Sequence, residues 1–165
     1  MIILKIYTKT GDNLKTDTFG RRVFKDDLVI EANGTIDELQ CQLMVAYNLM
    51  DNKEIKELII DICNNLFIIG SDISSASDHF NQEKVHDIEQ IIDKYESLLP
   101  PLTEFIIPGL TLISSHIHLA RTVARRCERV IVKYAIDNFV NYNILKYINR
   151  LSDLLFVLGR FVEKM

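Results

Sequence analysis

The placement of helix breakers constrains this chain more than any other feature. Its 165 residues include only three prolines and six glycines. Gly11, Gly20, Gly34, Pro100, Pro101, Pro108 and Gly109 account for all the prolines and four of the glycines, leaving long stretches with nothing to interrupt a helix. Within those stretches apolar residues recur at intervals of three and four, the helical period. The first set is Ile36, Leu39, Leu43 and Tyr47, with Thr35-Ile36-Asp37-Glu38 as its capping box. Ile55, Leu58, Ile59, Ile62, Leu66 and Ile69 follow, then Val85, Ile88, Ile91, Ile92 and Tyr95 before the Pro100-Pro101 stop. Leu112, Leu119, Val123, Cys127, Val130 and Tyr134 make a fourth set, and Ile144, Ile148, Leu151, Leu155, Leu158 and Val162 a fifth. Short connections between long helices favour antiparallel neighbours. The expected fold is all-α: a five-helix antiparallel bundle in one domain, residues 1–165, preceded by a polar N-terminal loop over residues 1–25.

With 48% hydrophobic residues the chain can bury a core of single-domain size. Its net charge of -4 repels polyanions as a whole, which argues against a nucleic-acid partner and confines any anion contact to a local basic patch. Cys41, Cys63 and Cys127 are too widely spaced for a zinc pattern and odd in number, so no disulfide framework can be drawn. The opening Met1-Ile2-Ile3-Leu4-Lys5-Ile6-Tyr7 lacks a basic leader, and no later run approaches the ~20 apolar residues of a membrane span. The expectation is a reduced cytoplasmic protein with no membrane association.

Arginine usage is the strongest chemical signal. All eight arginines lie at Arg21, Arg22, Arg121, Arg125, Arg126, Arg129, Arg150 and Arg160, and lysine supplies every positive charge from 23 to 120. A tight cluster of guanidinium groups suits planar, multi-donor recognition of an anion. On a helix Arg121, Arg125 and Glu128 share a face with Arg129 close by, and Leu119, Val123, Cys127 and Val130 lie opposite. Spacing alone allows a solvated face equally well. A second candidate is Tyr7-Thr8-Lys9-Thr10-Gly11-Asp12, continued by Lys15-Thr16 and Lys25-Asp26-Asp27. Hydroxyls, lysines and a glycine are what a phosphate-binding loop needs, although the Walker pattern is absent and a polar leader has the same composition. Asn149 and Asp153, within Asn149-Arg150-Leu151-Ser152-Asp153, form a polar face on an otherwise apolar helix, which is either solvated or a site. No histidine, cysteine or serine stands out as a nucleophile, and the four histidines make no metal set.

These segments, in this order, resemble the ATP:corrinoid adenosyltransferases of the PduO type. The resemblance extends through Gly20, Arg22-Val23, Glu31-Ala32, Gly34-Thr35-Ile36-Asp37-Glu38-Leu39, Phe105-Ile106-Ile107-Pro108-Gly109 and His118 to Glu128-Arg129, and so over nearly the whole chain. It implies a five-helix bundle assembling as a homotrimer, with ATP between subunits and magnesium on the phosphates instead of on a protein metal site. It implies transfer of the 5'-deoxyadenosyl group of ATP to the cobalt of reduced cobalamin. Thr8, Lys9, Thr10, Gly11, Asp12, Thr16 and Lys25 would surround ATP with Arg125, Glu128 and Asn149. Asp37 and Arg121 would pair across a subunit boundary, and Phe105 would displace the lower ligand of cobalt(II). A reductase and an adenosylcobalamin-dependent acceptor enzyme are the further partners implied.

The chain departs from the pattern at Leu14 and Leu110, where the family usually has glycine, and at Gln40-Cys41 in place of Asn-Ser. A side chain at a position that needs positive φ is strained. These departures motivate the other reading, a non-catalytic ATP- or corrinoid-binding helical bundle.

Overall fold

The computed structural model describes Tyr7 and residues 9–165; Met1 to Ile6 and the predicted ATP residue Thr8 lie outside the described residues. A hairpin, β1 (Lys15–Thr18) and β2 (Arg21–Phe24), precedes five helices: α1 (Leu28–Leu49), α2 (Lys53–Ser75), α3 (Gln82–Ser97), α4 (Leu112–Ala135) and α5 (Tyr142–Val162). Every helix opens on a short polar side chain that accepts from a first-turn amide: Asp27, Asn52, Asn81, Thr111 and Asn141. The expected capping box at Thr35 is therefore wrong. Thr35 sits inside α1, where its hydroxyl bonds back to the Glu31 carbonyl at 2.7 Å, and Asp27 caps the helix eight residues earlier.

The expected bundle is present, with α4 between α1 and α5, α2 beside α1 and α3 beside α5. Cross-links fix the directions. Arg126 pairs with Glu38 while His116 meets Gln42, so α1 and α4 are antiparallel. Glu128 meets Asn149 while His118 packs on Gly159, so α4 and α5 are antiparallel as well. One pair departs from the expected pattern: Arg150 reaches Glu89 and Phe161 stacks edge-on against Tyr95, so α3 and α5 run the same way.

The core is formed by the predicted stripes, including Leu39, Leu43, Ile55, Leu66, Ile69, Ile148 and Leu151, each at most 2% exposed. On α4 the buried stripe is His118, Ala120, Val123, Ala124, Cys127 and Ile131. Leu119, expected on that face, is 49% exposed because it falls one residue off the stripe. By length and composition α2 alone among the described residues could cross a membrane. Here Ile55, Ile59, Ile62, Leu66, Ile69 and Ile73 face the bundle core instead.

Candidate active site

The segment expected as a loop without either period contains the β1–β2 hairpin. Asp17 faces Arg22 in the register, and the guanidinium reaches both carboxylate oxygens at 3.0 and 3.1 Å. Gly20, at φ 71°, supplies the left-handed turn residue. The other amino group of Arg22 donates to the Thr10 carbonyl, folding the preceding loop back on the hairpin. Lys25 donates its backbone amide to the Leu14 carbonyl at 2.9 Å, and a Cβ on Gly11 would stand 3.5 Å from its ammonium. Thr10, Gly11 and Lys25 are thus brought together, with Lys9 and Asp12 exposed beside them and Thr16 on β1. Arg21 anchors the hairpin to the bundle through the Tyr134 hydroxyl at 3.3 Å, near the C-terminal end of α4.

Leu14 has φ 62°, the left-handed conformation that the usual glycine would take without strain. Its side chain is exposed, so no packing offsets the cost of about 1–2 kcal/mol. Leu14→Gly gives back part of that through unfolded-state entropy, about 0.5–1 kcal/mol. The melting temperature should still rise by about 1–4 °C; an unchanged or lower value in a thermal scan would show that the loop carries no strain there. Leu110 is different. Among the described residues it is not in the left-handed region, and its side chain points to solvent. Gly109 beside it, at φ 86°, has Ser115 3.1 Å from where a Cβ would stand.

On α4 and α5 three expected residues converge. Asn149 donates from Nδ2 to Glu128 at 2.9 Å and accepts from Arg150 Nη1 at 2.9 Å; Arg150 also pairs with Glu89. Arg125 lies one turn from Glu128 on α4, exposed. The carboxylate of Glu128 is engaged by Asn149, and no side chain among the described residues pairs with the Arg125 guanidinium. Arg121 is half-buried against the Phe156 ring, 5.9 Å from its centroid, with its Nε unpartnered. Asp37 lies on the other side of the chain, in the groove between α1 and α2 with Phe67 and Ser71. The two members of the expected Asp37–Arg121 pair therefore do not meet within one chain.

Phe105 is fully exposed on the 98–111 connection between α3 and α4. That connection joins the N-terminal end of α4, whereas the hairpin is anchored at Tyr134; at 1.5 Å per residue, Leu112 and Tyr134 are about 33 Å apart along the helix. Within one chain the predicted ATP loop and the predicted corrinoid residue are at opposite ends. A cavity of about 530 Å³ between α2 and α3, over Tyr147 and Leu154, is lined by none of the predicted site residues.

Two polar residues where α4 meets the C-terminal end of α5 lie outside the site set expected from the sequence. His118 is 5% exposed with both ring nitrogens unpartnered; burial, then the Arg121 charge, hold its pKa below the ordinary value. Glu163 accepts from the Gly109 amide at 3.1 Å, the Leu110 amide at 2.8 Å and the Ser114 hydroxyl at 2.6 Å. Burial pushes its carboxyl up, but these three hydrogen bonds and His118 outweigh it and leave the pKa lowered. A signal was available: an acidic residue at a helix C-terminus opposes the macrodipole and needs another reason to be there. Among the described residues no three His, Cys, Asp or Glu side chains converge so as to hold a metal ion.

Fold and site together define a helical bundle with an open, arginine-bearing face and a basic loop-hairpin at one end. A family profile described as Cobalamin adenosyltransferase matches residues 6–162, and the chain belongs to that family. It is 38% identical to a corrinoid adenosyltransferase from Citrobacter freundii, over 96% of this chain and 95% of that one. It is 40% identical to the human corrinoid adenosyltransferase MMAB, over 96% and 69%. Among solved structures, a variant PduO-type ATP:corrinoid adenosyltransferase from Lactobacillus reuteri, complexed with cobalamin and ATP, superposes with a TM-score of 0.92 at 34% identity, covering 97% of this chain and 91% of that one. Another variant from the same organism, complexed with ATP, gives 0.92 at 33%, covering 96% and 94%.

Proposed function

We infer that this chain is an ATP:cob(I)alamin adenosyltransferase, moving the 5'-deoxyadenosyl group of ATP to cobalt and releasing triphosphate. The observation that carries this reading is the family match along residues 6–162, with the Arg125 guanidinium unpaired among the described residues beside the Glu128–Asn149 bond. Cobalt(I) attacks C5' with its own electron pair, the cobalt–carbon bond forms, and the C5'–oxygen bond breaks with its electrons passing to triphosphate. No side-chain nucleophile or general base is needed. The protein has to align C5' with cobalt and stabilise charge on the leaving group.

Thr8, Lys9, Thr10, Gly11, Asp12, Thr16 and Lys25 would grip the triphosphate, which brings magnesium with it. Arg125 would neutralise the leaving group, with Glu128 and Asn149 holding that part of the nucleotide site. Because the loop and Phe105 are at opposite ends of one chain, the site is complete only where two chains meet. A homotrimer supplies that boundary, and the exposed apolar side chains Val45, Ile60 and Phe67 on α1 and α2 supply an adhesive face. The single domain 1–165 works in the cytoplasm in this reading, fed by a reductase and emptied by an adenosylcobalamin-dependent enzyme.

Anaerobic incubation with ATP, magnesium and chemically reduced cobalamin should yield the light-sensitive adenosylated spectrum; its absence would refute the assignment. The strain at Leu14 favours one competing reading, a bundle that binds ATP or corrinoid without turnover. Tight ATP binding by calorimetry with no product, and product regained in Leu14→Gly, would select it. For Phe105, whose ring makes no contact that burial would require, the expected role is to displace the lower axial ligand of cobalt(II). Phe105→Ala should slow turnover begun from cobalt(II) by at least tenfold more than turnover begun from preformed cobalt(I), about 1.4 kcal/mol on that step alone. Equal losses would contradict the wedge.

A further inference from the structure

We propose that Glu163 is a positioning residue for the corrinoid half of the reaction, a clamp on the last turn of α5 that sets where the Phe105 loop stands. The proposal rests on the assignment of Phe105 to the corrinoid side. The 98–111 connection is the longest between helices and carries Phe105 with no packing of its own. It is held at both ends by α5. Arg160 donates from Nη2 to the Pro100 carbonyl at 2.7 Å, and three residues on Glu163 gathers the Gly109 amide, the Leu110 amide and the Ser114 hydroxyl on one carboxylate oxygen. Ser115 closes the turn by donating to the Gly109 carbonyl at 2.9 Å. Because Gly109 sits at φ 86° with Ser115 against it, the turn has little freedom once Glu163 has fixed its amides.

Charge explains the residue choice. Glu163 ends α5, where the macrodipole disfavours a carboxylate, but it accepts from the Gly109 and Leu110 amides just ahead of α4 and from the Ser114 hydroxyl in its first turn, beside the end of that helix that favours negative charge. Three charge-assisted bonds converge there, and alanine would leave all three donors without this acceptor. The displaced element would be the segment from Leu102 to Ile107, and with it Phe105. The hairpin, anchored at Tyr134 on the far end of α4, would be untouched.

The test follows Glu163→Ala, Glu163→Gln, Ser114→Ala and Phe105→Ala from cobalt(II) with a reductant and from preformed cobalt(I), alongside amide exchange over residues 102–110. Glu163→Ala should cut the cobalt(II)-started rate on the order of 10- to 100-fold. The cobalt(I)-started rate and the KM for ATP should stay nearly constant. Exchange should quicken at 102–110 while α1 and α2 remain protected, and Glu163→Gln, which keeps an acceptor oxygen, should recover most of the rate. If Glu163→Ala fails to fold, Ser114→Ala should show the same pattern more weakly. Unchanged loop exchange, equal losses from both starting states, or a shifted KM for ATP would overturn the clamp. If Phe105→Ala itself shows no preference for cobalt(II), the wedge reading fails on its own. Glu163 is then decided by whether Glu163→Ala raises the corrinoid KM together with loop exchange; without both, the clamp is refuted.

Discussion

Arg125→Lys should bind ATP nearly as well as the parent and turn it over on the order of 10²-fold more slowly, the lower end of what losing one preorganised donor costs. Arg121, Arg125 and Arg129 stand at four-residue spacing on α4, where each like-charge neighbour costs about 0.2–0.5 kcal/mol in an isolated helix. Arg126 offsets its charge by pairing with Glu38, but Glu128, the carboxylate one turn from Arg125 on α4, is engaged by Asn149. The guanidinium of Arg125 is therefore left for an external anion. Lysine would keep the charge and lose the planar two-donor geometry that matches phosphate oxygens. Because negative charge grows on the triphosphate only as the C5'–oxygen bond breaks, the loss should fall on kcat and leave the KM for ATP little changed. Steady-state rates with preformed cobalt(I) and varied ATP separate the two. Unchanged kcat would make Arg125 a solvated surface residue.

How much of the molecule is legible in its sequence follows the range of the interactions. Helix number and the core stripes were legible because an uninterrupted run such as Ile55 to Ile69 declares its period locally. The hairpin was not, because Lys15-Thr-Asp-Thr and Arg21-Arg-Val-Phe present no apolar face; only Val23 packs toward the core, and an Asp17–Arg22 pair holds the strands in register. The sequence points to too late a start for α1 because Thr35 and Glu38 mimic a cap within a helix that Asp27 has already begun. Arginine spacing pointed to a polar face, but that Glu128 meets Asn149 depends on how α4 and α5 align, which no local pattern encodes. For Glu163 the sequence offers only the anomaly of a carboxylate at a helix C-terminus; its partners Gly109, Leu110 and Ser114 are some fifty residues away, and only the fold brings them together.

In the homotrimer proposed above, Asp37 and Arg121 should be coupled by about 0.5–3 kcal/mol in a double-mutant cycle read on trimer dissociation, and each single alanine variant should dissociate at higher protein concentration than the parent. The two side chains lie on different faces of one chain: Asp37 in the α1–α2 groove, Arg121 against Phe156 on the α4–α5 side. Arg121 is unsatisfied within its own chain, whereas Asp37 is exposed to solvent. Arg121 holds an unpartnered, buried Nε, which costs about 1–3 kcal/mol unless an acceptor arrives, and no cation among the described residues pairs with Asp37. A neighbouring copy that presents its Asp37 to Arg121 would supply that acceptor and bring the Val45, Ile60 and Phe67 face against the arginine helix. Because that helix also carries Arg125, the same contact would set the distance between one subunit's arginine and the nucleotide held by another. Turnover should therefore fall with trimer stability in both single variants, and the double variant should be less impaired than the sum of the two. Strict additivity, in dissociation and in turnover alike, would show that Arg121 and Asp37 act independently.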